Sequence, residues 1–342
     1  TTEDLFTQSF VLPYVIPMLE NAGAVVYTPR ERDTQKNEII VDNDTPNASL
    51  YLEVGSKKAK WDRASVRGFA QKKTIYQDGE NPFADGTCRM ISTERKKKKN
   101  KDQAFAEWVP TLPATGKYAV YVSYQTLPNS VSDAKYLVFH NGGVAEFKVN
   151  QRIGGGTWVY LGTFTFDKGS NDYGMVVLSN ESREKGVVCS DAVRFGGGMG
   201  NIARGGQVSG LPRYLEGARY SAQWAGMPYP VYAGYKGQND LSDDINVRSR
   251  TINYLSGSSV FNPKEPGLGV PLEMSMALHS DAGFRTDDRI VGTLGIYTTH
   301  FNDGKLAAGT NRYASRDLAD LFLTRLQQDI RSTFNADWTR RS

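Results

Sequence analysis

A chain of 342 residues with 39% hydrophobic and 23% charged side chains is an ordinary globular composition, long enough for two cores rather than one. A formal net charge of +4 over that length gives no case for a nucleic-acid partner. No apolar run approaches the roughly 20 residues needed to span a bilayer, and the start at Thr1-Thr2-Glu3, without signal peptide or initiator Met, reads as an excised or processed piece.

In chain order, Asp4 to Asn21 carries Leu5, Phe6, Phe10, Tyr14, Met18 and Leu19 at helical spacing, with Pro13 and Pro17 predicting a kink or break. Gly23 ends that helix, and Ala22 to Thr28 reads as a short buried strand. Helix followed by strand is the beat of an α/β sheet. The charged run Arg30-Glu-Arg-Asp33 then reads as a solvated loop at the strand's C-terminal edge, in preference to a group pointing into a site.

From about Ser49 helical periodicity stops. From Gly116 short alternating runs separated by turn residues predict an all-β sandwich. Its strands are Tyr118 to Tyr124, Tyr136 to His140, Val144 to Val149 after the turn Asn141-Gly-Gly143, Gly154 to Phe166, Met175 to Ser179 and Val187 to Phe195. His140 is read as a strand-end residue beside a turn. Trp108, Tyr121 and Trp158 could form a sugar-stacking face, but aromatic side chains of a small sandwich are more often core. The basic run Arg95 to Lys101 is read as a solvated loop ahead of a patch for an acidic polymer. Cys88 and Cys189 are too few for a disulfide scaffold; near the first and last strands of the β-domain they either pair or stay as two buried thiols, and a bridge would favour an exported protein.

Gly196 to Gly200 reads as an exit hinge. Beyond it, Tyr214 to Trp224 is mixed, Tyr229 to Tyr235 is an aromatic loop and Asp243 to Leu255 a helix. In Leu272 to His279, Leu272, Met274, Met276 and Leu278 alternate with Glu273, Ser275, Ala277 and His279, which predicts a strand ending at His279, where small neighbours leave the imidazole room. Such a sheet edge is where open α/β folds bind ligands. A further strand, Ile290 to Tyr297, ends near His300, which is followed by turn residues and reads as part of a turn. An amphipathic helix capped by Ser315, with Asp317 in its first turn and Leu318, Phe322, Leu326 and Ile330 on one face, comes last. The α/β elements flank the β-domain on both sides, so the simplest architecture is one α/β domain interrupted by an inserted sandwich.

These blocks carry a resemblance. Glu3-Asp-Leu with its helix, Asn21 to Asp33, Arg248-Ser-Arg-Thr-Ile-Asn253 and Met276-Ala-Leu-His279-Ser-Asp-Ala282 resemble successive blocks of the zinc-dependent N-acetylmuramoyl-L-alanine amidases of the Amidase_3 family. The inserted part, through Gly116 to Val122, Val149-Asn-Gln151, Gly156 to Phe164 and Ser190 to Phe195, is similar to the golvesin C-terminal-like domain, also found in proteins named as xanthan lyases. The combination looks like exported, periplasmic or cell-surface proteins of Bacteroides-type bacteria. The resemblance implies an open twisted α/β sheet with flanking helices over 1–48 and 198–342, interrupted by a linker and β-sandwich over 49–197 with its core at about 80–197.

It also implies a site. Glu3 and His279 match two zinc ligands, and Arg248 and Asn253 match a block assigned to substrate contact. Zinc with an open position suits amide hydrolysis because it acidifies water and polarises the carbonyl. The family's first histidine, in a Gly-His-Gly type motif, and its general-base glutamate have no counterpart between Thr1 and Ser342. The implied activity is hydrolysis of the N-acetylmuramoyl-L-alanine amide of peptidoglycan or a related envelope bond, with the β-insertion positioning a glycan. The alternative is a non-catalytic envelope or polysaccharide-binding protein on the same scaffold. A polysaccharide lyase is the weaker third reading, since the match to lyase-named proteins runs only through the inserted module.

Overall fold

The computed structural model describes residues 5–44, 50–95, 102–257, 263–279, 286–287, 289–306 and 308–340. Contacts divide the chain into two compact units, a β unit of 26–257 with 266–273 and a helical unit of 1–25, 258–265 and 274–342.

The helical unit opens with a wide, π-type run Thr7–Val15 that contains Pro13 and passes into α1 (Ile16–Asn21). Proline has no N–H to close an α-helical turn, and the predicted irregularity falls there. The β unit follows with β1 (Ile39–Asp42), β2 (Leu50–Val54), β3 (Asp62–Gly68), β4 (Tyr76–Gln77), β5 (Gly86–Ser92), β6 (Phe105–Val109), β7 (Gly116–Val122), β8 (Ala134–His140), β9 (Gly143–Val149), β10 (Val159–Phe166), β11 (Met175–Ser179), β12 (Val187–Ser190), β13 (Ala192–Phe195) and β14 (Ile202–Ala203). It ends with α2 (Ala218–Trp224), α3 (Tyr229–Tyr232) and α4 (Asp240–Ser256). The helical unit closes with α5 (Tyr313–Thr333).

Three antiparallel sheets carry the β unit, in orders β1-β13-β7-β10, β2-β6-β11-β8-β9 and β12-β5-β3. The expected α/β fold with an open twisted sheet is therefore wrong: among the described residues the only paired parallel strands are the two-residue β14 and β4. The segments that were to supply that sheet form no strands. Ala22 to Thr28, Leu272 to His279 and Ile290 to Tyr297 are irregular, and Met274, Met276 and Ile296 are exposed, the last by 86%. Two-residue alternation is local, whereas a strand exists only where a partner backbone completes the ladder.

Within the β unit most predicted sandwich strands are observed to within two residues, the run Gly154 to Phe166 being a strand only from Val159, and β8 and β9 form a hairpin in which His140 faces Gly143. The run Val187 to Phe195 splits in two. Its Asp191 side chain turns inward to accept from the Phe69 N–H and the Ser123 hydroxyl, so β12 pairs with β5 while β13 pairs with β1 and β7. Burial pushes this carboxyl well above its ordinary value.

The central strand β7 is buried on both faces. Tyr118, Val120 and Val122 join Trp108, Tyr136, Val138, Phe166, Val176, Leu178 and Phe195 in the sandwich core. Ala119 and Tyr121 point the other way, into a second core of Phe69, Tyr76, Phe83, Trp158, Ile202 and Trp224. Trp108, Tyr121 and Trp158 are thus core and not a sugar platform.

That second core is sealed by charge. The run Arg30 to Asp33, expected to be solvated, places Glu31 and Asp33 in the interior. Arg194 on β13 donates to Glu31 at 2.7 Å and to Glu38 at 3.3 Å while its guanidinium lies 3.9 Å from the Tyr121 ring centre. Tyr121 hydrogen-bonds Glu31, and the Ala119 N–H donates to Asp33 at 2.7 Å. Arg213 donates to Glu38 at 2.6 Å and stacks 4.6 Å over Trp224. The expected boundary at 48 and 198 therefore does not coincide with a break in packing, since segments on both sides of the sandwich are bound onto its outer face.

Burial alone would push the Glu31 carboxyl up, but Arg194, the Tyr121 hydroxyl and the Asp33 N–H together hold it below its ordinary 4.5. Burial leaves Asp33 shifted upward. A depressed carboxylate stabilises the fold above its unfolded pKa, and that contribution is lost as pH falls through the folded value. Glu31→Gln is expected to lower stability at neutral pH by about 3 kcal/mol by leaving the buried Arg194 undercompensated. In urea unfolding followed from pH 7 down to about pH 3, the gap between the two proteins should close below 4.5; a gap independent of pH would refute the assignment.

Candidate functional site

The three sheets of the β unit meet beside a polar cleft of about 400 Å³ lined by Asn43, Asp44, Tyr51, Glu53, Thr87 and Arg89. Asn43 and Asp44 follow the last residue of β1. Tyr51 and Glu53 are two apart on β2, an edge strand of the five-stranded sheet, and so share a face; Thr87 and Arg89 do the same on β5.

Each wall is held by directional bonds. Arg89 forks the Glu53 carboxylate, with Nε at 2.5 Å and Nη2 at 2.8 Å, and Nη2 also reaches the Trp61 carbonyl at 3.0 Å. The Tyr51 hydroxyl donates to Glu53 at 2.9 Å and shares a 2.8 Å hydrogen bond with Ser190, while its ring packs 5.6 Å from that of Trp108. Burial pushes this hydroxyl upward, so it stays protonated in ordinary buffers. Across the cleft, Asp44 accepts from the Thr87 N–H and, at 2.8 Å, from its hydroxyl, and Asn43 Nδ2 donates to the same hydroxyl at 3.0 Å.

The approach of Asp44 to β5 depends on Gly86. A Cβ there would meet the Phe69 carbonyl and lie 2.7 Å from the Asp44 carboxylate. The cleft thus offers two carboxylates, an amide, a guanidinium, a threonine hydroxyl and a tyrosine on a rigid frame. Such a set exchanges hydrogen bonds with a ligand rich in hydroxyl groups.

Of the two residues expected to hold zinc, His279 is among the described ones. Glu3 lies outside the described residues, as does most of the basic run at 96–101. His279 belongs to the helical unit, is exposed and lies in no strand. Arg248 and Asn253 stand on α4 in the β unit, where Arg248 pairs with Asp244 at 3.3 Å, one helical turn away. Among the described residues no three His, Cys, Asp or Glu side chains gather to hold a metal ion. His140 stacks 4.7 Å from Phe164 and accepts the Gly142 N–H, as a strand-end residue should. His300 immediately precedes a turn in which Asn302 and Asp303 adopt positive φ.

None of the cleft residues was singled out from sequence. The alternation of Tyr51 with Leu50 and Leu52, and of Thr87 with Cys88, was available as a signal. It lay in the stretch read as linker or as the margin of the sandwich.

Residues 85–197 match the Golvesin C-terminal domain. A 90-residue stretch is 36% identical to xanthan lyase of Bacillus sp. (strain GL1), covering 26% of this chain and 10% of that enzyme. The chain thus spans about a tenth of the length of this curated relative. Among solved structures, Paenibacillus xanthan lyase is 25% identical over 50% of this chain and 14% of its own, with a TM-score of 0.31. The C-terminal CBM6 of the laminarinase LamC from Zobellia galactanivorans is 13% identical over 43% of this chain and 99% of its own, with a TM-score of 0.22. Scores this low transfer neither fold nor function. The matches carry the golvesin-like and xanthan-lyase-like part of the resemblance and none of the amidase part. Thr87 and Arg89 lie inside the matched span; Asn43, Asp44, Tyr51 and Glu53 precede it, so the cleft joins the golvesin-like domain to the segment before it.

Gly86→Ala is expected to destabilise the β unit by about 1–3 kcal/mol, because backbone on the opposing strand must yield to the added methyl group. A urea unfolding midpoint unchanged from the parent would show that β3, β5 and Asp44 are less tightly apposed than described.

Proposed function

We propose that the β unit is a non-catalytic polysaccharide-binding module of an exported envelope protein, and that it holds a hydroxyl-rich glycan in the cleft between β2 and β5. The observation that carries this reading is the cleft itself, in which β5 braces both sides, Arg89 to Glu53 beside Tyr51 on β2 and Thr87 to Asp44 after β1. Side chains fixed by mutual hydrogen bonds lose little further entropy on binding, which favours weak ligands such as sugars. The similarity of residues 85–197 to the golvesin C-terminal domain, and of a 90-residue stretch to an enzyme named for xanthan, supports a polysaccharide as the ligand class.

Peptidoglycan or another envelope glycan is accordingly the expected partner. No helix among the described residues is long and apolar enough to cross a membrane. The zinc amide-hydrolase reading gains no observation of this kind, since Glu3 lies outside the described residues and no group of three possible metal ligands occurs among the described ones.

The test is affinity electrophoresis of the whole chain in gels containing xanthan, laminarin, or soluble peptidoglycan fragments, followed by calorimetry with whichever retards it. At least one should bind, and Glu53→Ala or Asp44→Ala should weaken it by about tenfold or more, the loss of one charged hydrogen-bonding group. Unchanged circular dichroism would show that the variants still fold. Binding that survives both substitutions at full strength would move the site elsewhere, and no retardation across the panel would remove the polysaccharide reading.

A further inference from the structure

The two cysteines are far apart in sequence and together in space. Strands β5 and β12 run antiparallel with Cys189 facing Met90, and Cys88 is two residues along β5 from Met90. Side chains two apart on a strand share a face, so Cys88 is the diagonal neighbour of Cys189 on the same side of the sheet. Both side chains are wholly buried in the sandwich core as free thiols, near enough for each to act on the other's ionisation. The Cys189 sulfur also accepts the Gln125 N–H at 3.2 Å, and Cys88 lies 3.9 Å from the Val66 carbonyl.

We propose that Cys88 and Cys189 are the two halves of a disulfide that staples β5 to β12 in the exported protein. The bond would close a loop of about a hundred residues whose ends lie close to the two ends of the golvesin-like span, 85–197. Long loops are where a cross-link restricts the unfolded chain most. The site is thus placed to hold the first and last parts of the domain in register, and with them Thr87 and Arg89, which flank Cys88 on β5 and line the cleft.

The chemistry balances as two successive exchanges. In the opened chain both thiols are accessible and either can attack first; the step is written for Cys88. Asp44, Arg63 and Asp191 are the charged groups acting on the pair. The Cys88 thiolate attacks one sulfur of an oxidant's disulfide, forming a mixed disulfide and releasing one oxidant thiolate. Cys189, losing its proton, then attacks the Cys88 sulfur and expels the second. Two protons and two electrons leave the chain, and the oxidant, the disulfide form of a thiol oxidoreductase or oxidised glutathione, takes them up to become two thiols. Because neither sulfur meets solvent in the folded unit, the exchange belongs to the folding chain or to a transient opening of β12.

The full chain, reduced and unfolded, is refolded in a glutathione buffer of extracellular poise, then denatured with N-ethylmaleimide and weighed. The expected product carries no maleimide, is two hydrogens lighter than the dithiol, and yields a non-reduced peptide joining Cys88 to Cys189. Its thermal midpoint should fall on reduction, a shift that Cys88→Ser should abolish. Uptake of two maleimides per chain, or oxidation solely to intermolecular dimers, would overturn the proposal, and neither result depends on whether a glycan binds.

Discussion

The buried pair of Arg194 and Glu31 is the contact on which the β unit depends. A guanidinium and a carboxylate taken out of water repay their desolvation only when further groups complete their hydrogen bonds. Here the Tyr121 hydroxyl and the Asp33 N–H donate to Glu31, and Glu38 accepts from both Arg194 and Arg213, leaving only Arg194 Nε of this group without a partner among the described residues, while the aromatic faces of Tyr121 and Trp224 cover the two guanidinium planes. The consequence is architectural. The segment before the sandwich and the segment after it are both bound to the outer face of β7, so the strand is covered on both sides and the sandwich becomes the centre of a larger body.

A second constraint follows at Asp191. By turning into the core to accept from Phe69 and Ser123, it interrupts what would be one long strand and lets the chain leave the sheet of β5 for that of β7. The three sheets are thereby brought together, and the polar cleft lies where β1, β2 and β5 converge. The same strand break sets Cys189 beside Cys88 and Ser190 beside Tyr51, so that the core, the thiol pair and the cleft share one junction.

His279 is conspicuous in the sequence because its neighbours alternate, and alternation reads as a sheet edge, although Leu272 to His279 form no strand. Asp44, Glu53 and Arg89 are inconspicuous because they stand on three separate segments and become a group only when Gly86 lets Asp44 approach β5. The charged run Arg30 to Asp33 misled in a similar manner: charge on a local scale signals solvent, and only the distant Arg194 makes burial of Glu31 tolerable.

The sequence by itself determined most of the sandwich strands from Gly116 to Ser179, the hairpin at Asn141-Gly142, the irregularity at Pro13 and the final amphipathic helix, though not its start, which lies at Tyr313 ahead of the expected Ser315 cap, because each rests on side-chain periodicity or backbone chemistry within a few residues. It also identified the golvesin-like character of that span. Only the tertiary structure decided that the flanking segments do not build a parallel sheet, that Trp108, Tyr121 and Trp158 are core, and that Cys88 meets Cys189. Those outcomes depend on which backbone edge and which distant charge a segment encounters, and periodicity along one strand carries no record of its partner.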